Sequence, residues 1–131
     1  VLIQRVHAWV DMDTIKRRYT HINNFEQLLL ENNTIILKFY LHISPEEQAT
    51  RLSERLKDPK KMWKYNPGDM EESTHWAEYM EAYEDVFRHC GPDIPWQIVP
   101  TDKNWYKEYY IAKVIVEALQ ALPLEYPPAK L

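Results

Sequence analysis

The sequence predicts an α/β fold in the coarse order α-β-α-α-β-α. Three observations carry that prediction. Residues 34–43, TIILKFYLHI, form a dense run of β-branched, aromatic and apolar residues of the kind that suits a strand buried on both faces of a parallel sheet. Directly after it, Ser44, Pro45 and Glu47 stand at the N-cap, N1 and N3 positions of a new helix. Strands and helices then alternate along the chain, which is the pattern of helices packed on a sheet layer. Two strands are few for a free-standing doubly wound domain. The expectation is a segment of a larger unit, or a sheet completed by a partner.

The elements follow in order. Residues 13–32 read as a helix, because Ile15, Tyr19, Ile22, Phe25 and Leu29 recur every three or four positions and share one face. Asn32 and Asn33 end it. The helix opened by Ser44 runs to about Leu56, with Leu52 and Leu56 apolar and with Arg51 and Arg55 one turn apart. Asp58 and Pro59 break it. After Pro67 and Gly68, a turn pair, Asp69 and Glu72 are expected to cap one long helix reaching Cys90, with Gly91 at C′. Its expected buried stripe is Trp76, Tyr79 or Met80, Tyr83 and Phe87. Residues 96–99 form a second short strand. Thr101 or Asp102 is then expected to cap a last helix to Leu122, with Trp105, Tyr109, Ala112, Val116 and Leu119 inward. Residues 123–131, with Pro123, Pro127 and Pro128, are expected to be an extended tail.

Composition narrows the function. In 131 residues, 45% are apolar and nine are Tyr, enough to build a core and to argue against disorder. The single Cys90 cannot form an intrachain disulfide, and no apolar run approaches the roughly 20 residues of a membrane span. The start, VLIQRVHAWVDMD, lacks the order of a signal peptide, so a cytoplasmic protein is expected. It looks like an entry into the middle of something larger. Only two glycines occur, Gly68 and Gly91, so no glycine-rich phosphate loop can be drawn. If the chain handles phosphate, side chains or helix ends must do it.

Charge supplies the main functional clue. Between Arg51 and Lys64, six Lys or Arg stand against two acids, a local charge of +4 in a chain of −4. The remainder therefore carries −8. A cluster opposing the sign of its own protein points to an anionic ligand. Arg51 and Arg55, at i and i+4, can converge on one phosphate chain with bidentate donors. The plainer reading is a solvated helix face paired with Glu47 and Glu54. Lys57, Lys60, Lys61 and Lys64 add mobile charge, or ordinary solubility. Trp63 beside Lys64 can stack a base or pin its loop. Residues 69–85 hold seven acids and no Lys or Arg, and could balance the basic stretch across a helix hairpin. Asp102 and Lys103 follow the second strand, where open α/β sheets bind ligands; they serve equally as a cap and an exposed charge. The five His and Cys90 are scattered, without metal-ligand spacing. The −8 remainder disfavours nucleic acid as a partner.

These residues together resemble a known family. The stretch LKFYLHISPEEQATRLSERLKDPKKMWKYNPGD, then W-x-x-Y-x-x-A-Y-E at 76–84, then IPWQIVPTDKNWY, is similar to the type-2 polyphosphate kinases, on the branch acting on AMP and ADP. VLIQRVH and RRYTHINNFEQLL also match, so the likeness covers nearly the whole chain. The resemblance implies a P-loop-kinase-like three-layer fold, of which residues 1–131 would be a single C-terminal segment with residues 45–90 as a helical lid. It implies phosphoryl transfer between inorganic polyphosphate and AMP, ADP or ATP, with magnesium held by residues outside the segment. The phosphate loop and acidic motifs of the family lie N-terminal to the matched region, so no catalytic residue is expected here and the segment alone is expected to be inactive. By resemblance, Arg51, Arg55, Lys60, Lys61 and Lys64 face polyphosphate or nucleotide phosphates, while Trp63, Asp102 and Lys103 lie near the nucleotide. A homo-oligomer without membrane contact is expected. The competing readings are a non-catalytic polyanion-binding module and a regulatory half that pairs with an active domain.

Overall fold

A computed structural model of the chain describes residues 1–127. Its elements are α1 (Leu2–Val6), α2 (Met12–Glu31), β1 (Lys38–His42), α3 (Pro45–Lys57), α4 (Pro67–Glu72), α5 (Trp76–His89), β2 (Trp96–Pro100) and α6 (Asn104–Gln120). Short 3-10 turns occupy Met62–Lys64 and Ser73–His75. Local chemistry sets most boundaries. The Asp11 carboxylate accepts the Thr14 N–H at 2.6 Å and starts α2. Asn33, with φ of 59°, takes the left-handed conformation that Asn tolerates and stops it. Ser44 Oγ accepts the Glu47 N–H at 3.2 Å, with Pro45 in the first turn of α3, as the sequence predicts.

β1 and β2 pair in parallel, Lys38 opposite Trp96 through His42 opposite Pro100. Tyr83 and Phe87 of α5 lie against Tyr40 on one face of this sheet, and Phe87 also meets Trp96. Gln97 faces the other way by strand alternation and accepts a hydrogen bond from Tyr110 of α6 at 3.1 Å. Helices therefore lie on both sides of the sheet, giving three layers as predicted. The main core sits where α2 meets α5, built from Ile15, Tyr19, Val86 and Cys90. Beside it, the buried Lys38 ammonium is held by Glu26 at 2.8 Å, by the Cys90 carbonyl, and over the Trp96 ring.

Several expectations need correction. β1 is shorter than the 34–43 run, because Thr34 to Leu37 has no ladder partner among the described residues. The sheet is not covered throughout: Leu41 and Ile98 are exposed. The expected long helix from Asp69 to Cys90 is broken by the turn at Ser73–His75, and Asn66 caps its first piece in place of Asp69. On α5 the buried residues are Ala82 and Val86, while Trp76, Tyr79, Met80 and Tyr83 line a cavity. Gly91 does follow the end of α5, but without positive φ. A side chain there is excluded because its Cβ would sit 2.1 Å from the Phe87 carbonyl oxygen. The expected inward stripe of α6 is open: Trp105, Tyr109, Ala112, Val116 and Leu119 are all exposed. Phe25 is likewise exposed. Lys103, not Thr101 or Asp102, precedes α6, without a side-chain cap. Of the tail, residues 123–127 carry no regular structure and residues 128–131 lie outside the described residues.

Candidate functional site

The carboxyl ends of both strands are clipped to the start of α3. Thr101, which is buried, donates both its N–H and its hydroxyl to the His42 carbonyl, at 2.8 and 2.9 Å. The Asp102 carboxylate accepts the Ser44 N–H at 2.8 Å, which holds its acid below the usual carboxylate range. Arg51 reaches back from α3 to the same place. Its Nη2 donates to the Thr101 carbonyl at 2.7 Å and to the Asp102 carbonyl at 3.3 Å, while Nε donates to Glu47 at 2.8 Å. One turn later, Arg55 Nη1 donates to the Asp69 carboxylate of α4 at 2.6 Å. Both arginines, each about one-third exposed, line a single cavity of about 520 Å³ between β1, α3 and α5.

The other wall of that cavity is aromatic and carries Trp76, Tyr79 and Tyr83. The Tyr79 hydroxyl donates to Glu72 at 2.6 Å, and Glu72 also meets His7 at 2.7 Å. Burial and this carboxylate push Tyr79 up to about 12, while the Tyr79 hydroxyl, then His7, hold Glu72 below its ordinary value. Burial likewise pushes Tyr40 up to about 12. At neutral pH both tyrosines keep their protons and both Glu72 and Asp102 are charged. These groups therefore offer hydrogen bonds and fixed charge.

The remaining predicted residues separate into two places. Asp102 and Lys103 line a smaller hollow of about 300 Å³ beyond the strand ends, with His42, Trp105 and Tyr106. Lys60, Lys61, Trp63 and Lys64 sit on the turn after α3 and line neither space. Lys61 pairs with Glu54 at 2.7 Å, and Lys64 lies 5.1 Å from the centroid of the exposed Trp63 ring. The predicted Glu47 partner for Arg51 is present, whereas Glu54 serves Lys61. The acidic run from Asp69 to Asp85 answers the basic stretch through Asp69. Glu72 turns to His7, and Glu81 and Asp85 turn to Arg5. Sequence reasoning missed Asp69 as the Arg55 counter-ion and missed the aromatic wall. Fourteen residues separate Asp69 from Arg55, and no short-range pattern joins them.

A sequence profile described as polyphosphate kinase 2 matches residues 1–126. The chain belongs to the polyphosphate kinase 2 family. The chain is similar to the AMP/ADP-polyphosphate phosphotransferase of Meiothermus ruber, 43% identical over 128 residues, covering 97% of the chain and 48% of that protein. It is 39% identical over 112 residues to an ADP-polyphosphate phosphotransferase of Rhodopseudomonas palustris, covering 85% of the chain and 39% of the relative. The crystal structure of polyphosphate kinase 2 from Arthrobacter aurescens TC1 superimposes with a TM-score of 0.95 at 44% identity, over 100% of this chain and 47% of that one. The chain thus spans about half the length of these relatives or less. Among the described residues, no group of three or more His, Cys, Asp or Glu converges to hold a metal ion. The residues present do not fit a magnesium site. No described helix is long and apolar enough to cross a membrane.

Proposed function

We propose that the chain is the C-terminal, lid-bearing part of a kinase that transfers phosphoryl groups between inorganic polyphosphate and AMP or ADP. The observation that carries this reading is the pair Arg51 and Arg55, one turn apart and lining one cavity, in a chain of the polyphosphate kinase 2 family. Phosphoryl transfer needs positioning and charge neutralisation more than covalent chemistry from the protein. Each guanidinium keeps further N–H donors beyond those it spends on carboxylates and carbonyls, so each can bind phosphate oxygens as well. The Asp69 oxygen on Arg55 occupies the kind of position a phosphate oxygen would take.

On this reading residues 45–90 form a lid. Lys60, Lys61 and Lys64 guide the outer length of polyphosphate, and Trp63, Asp102 and Lys103 lie near the nucleotide. Magnesium is held by residues other than those of this chain. The setting is cytoplasmic, the assembly a homo-oligomer, and nucleic acid no partner. The chain alone is inactive. In the full-length gene product, Arg55→Ala should lower ATP formation from ADP and polyphosphate by at least about 100-fold, the loss typical of one electrostatic donor, with the thermal midpoint kept. Unchanged turnover would remove Arg55 from the site. A non-catalytic polyanion-binding module would instead bind polyphosphate and RNA alike in a salt titration, whereas the kinase reading requires selectivity for polyphosphate.

A further inference from the structure

We infer that the outer face of α6 is a docking surface for the α6 of a second copy of this protein, the two helices lying parallel about a two-fold axis. This gives the proposed homo-oligomer its contact surface, and it stands on observations separate from those behind phosphoryl transfer. Helix α6 is apolar on two opposite sides. Tyr110 meets Gln97 of β2, and Ile111 and Val114 are half-buried on that side. At about 100° of turn per residue, Trp105, Tyr109, Ala112, Val116 and Leu119 stand opposite, and all are exposed. One apolar stripe is enough to seat a helix on its own sheet, so a second stripe calls for a second cover.

The cover that fits this stripe is another helix. Its steps are 4, 3, 4 and 3 residues, the repeat of about 3.5 residues that makes a seam between two helices. In heptad terms Tyr109 and Val116 are a positions, and Trp105, Ala112 and Leu119 are d positions. Glu108 and Lys113 are then the g and e positions that flank the seam, five residues apart and both exposed. In a parallel two-fold pair, each g residue faces the e residue of the following heptad on the other helix. Glu108 then faces the partner's Lys113, and symmetry supplies the contact twice. An antiparallel pair centred on Ala112 would instead set Lys113 against its own copy. The internal Lys113–Glu117 pair, 3.8 Å long and exposed at both ends, is too weak to hold Lys113 back. Trp105 and Tyr109, 69% and 59% exposed, supply the kind of aromatic anchor that dominates binding energy at interfaces. Phe25 and Leu28 on α2 are exposed too, but α2 ends at Glu31, before a seam can develop.

The test is sedimentation equilibrium of the full-length gene product over a concentration series, with thermal midpoints measured alongside. The unaltered protein should self-associate. Val116→Glu puts a charge on the seam and should weaken association at least about tenfold. Glu108→Lys and Lys113→Glu are changes at exposed positions that do not threaten folding. Each sets like charges together and should weaken association at least about threefold. Mixing these two variants should restore it, because the mixed pair again joins opposite charges at both flanks. A monomer at every concentration overturns the proposal, as does wild-type association in all three variants. A mixture that associates no more tightly than its components overturns it as well. If Val116→Glu lowers the midpoint and leaves the mass unchanged, α6 is covered by its own polypeptide and no second copy docks there. No readout here is turnover, so failure of the interface and failure of the kinase reading are told apart.

Discussion

Arg51 and Arg55 look equivalent in sequence, yet their alanine variants should behave differently on unfolding. Arg51 ties α3 to the loop after β2 through the Thr101 carbonyl at 2.7 Å and the Asp102 carbonyl at 3.3 Å, besides its Glu47 contact at 2.8 Å. A hydrogen bond from a charged group contributes roughly 1.5–3 kcal/mol when well shielded. The Arg51 side chain is 32% exposed, so water discounts that figure. The Glu47 pair adds only about 0.3–0.5 kcal/mol. Arg51→Ala should therefore cost about 1–2 kcal/mol, a fall in thermal midpoint of roughly 4–8 °C for a chain of this size. Arg55 makes one contact, to Asp69, and both partners are about one-third exposed. Its loss should cost about 0.2–1 kcal/mol. Arg51→Lys should recover only part of the stability, because an ammonium cannot span two carbonyls and a carboxylate as a planar fork does. Thermal and urea unfolding followed by far-UV circular dichroism would measure all three. An Arg51→Ala variant as stable as the parent, or Arg55→Ala as the more damaging of the two, would refute the assignment of Arg51 as a tie between α3 and the sheet.

Three further outcomes can be measured on the same chain. Glu26→Ala strands the Lys38 ammonium, only 7% exposed, with the Cys90 carbonyl and the Trp96 ring as its remaining partners; it should cost about 2–4 kcal/mol in urea unfolding, and Glu26→Leu with Lys38→Met should restore most of it. Gly91→Ala drives a Cβ to 2.1 Å from the Phe87 carbonyl oxygen and should destabilise by at least about 1–3 kcal/mol, so an unshifted melting curve would contradict the packing at the end of α5. The acids of Glu72 and Asp102 are held low by hydrogen bonds from Tyr79 and from the Ser44 N–H. Their contribution is present above the ordinary carboxylate range, near pH 4, and is lost as pH falls through the lowered native values, because the unfolded chain takes up those protons first. Glu72→Gln combined with Asp102→Asn should flatten the acid limb of stability against pH; an equally steep limb would contradict the hydrogen bonding.

The parts of this fold that were legible in the sequence are those decided within a few residues. Ser44 and Pro45 open α3 because a cap and a fixed φ act locally, and Asn33 stops α2 for the same reason. The parallel pairing suggested by the TIILKFYLHI run also holds. The failures belong to contacts between distant segments. The α6 stripe has helical spacing, but spacing does not say whether anything covers it, and among the described residues Trp105 and Tyr109 face solvent. Helical spacing predicts the aromatic positions of α5 as core, because Trp and Tyr so spaced commonly are, whereas here several of them wall a cavity. In the site, the spacing of Arg51 and Arg55 was visible and their shared cavity agrees with it. Their counter-ions were only half visible: Glu47 is four residues from Arg51, while Asp69 meets Arg55 only after the chain has turned back on itself.

The short α1 segment does not hang free from the helices beyond the sheet. Arg5 grips Asp85 at 2.5 Å, and His7 grips Glu72 at 2.7 Å. Any swing of α4 and α5 must either carry residues 1–7 along or break three polar links, His7 to Glu72 and Arg5 to Glu81 and Asp85. The backbone that precedes α2 thus acts as a tether on the arginine-facing helices, so strain in that stretch of backbone is felt at the opening of the cavity.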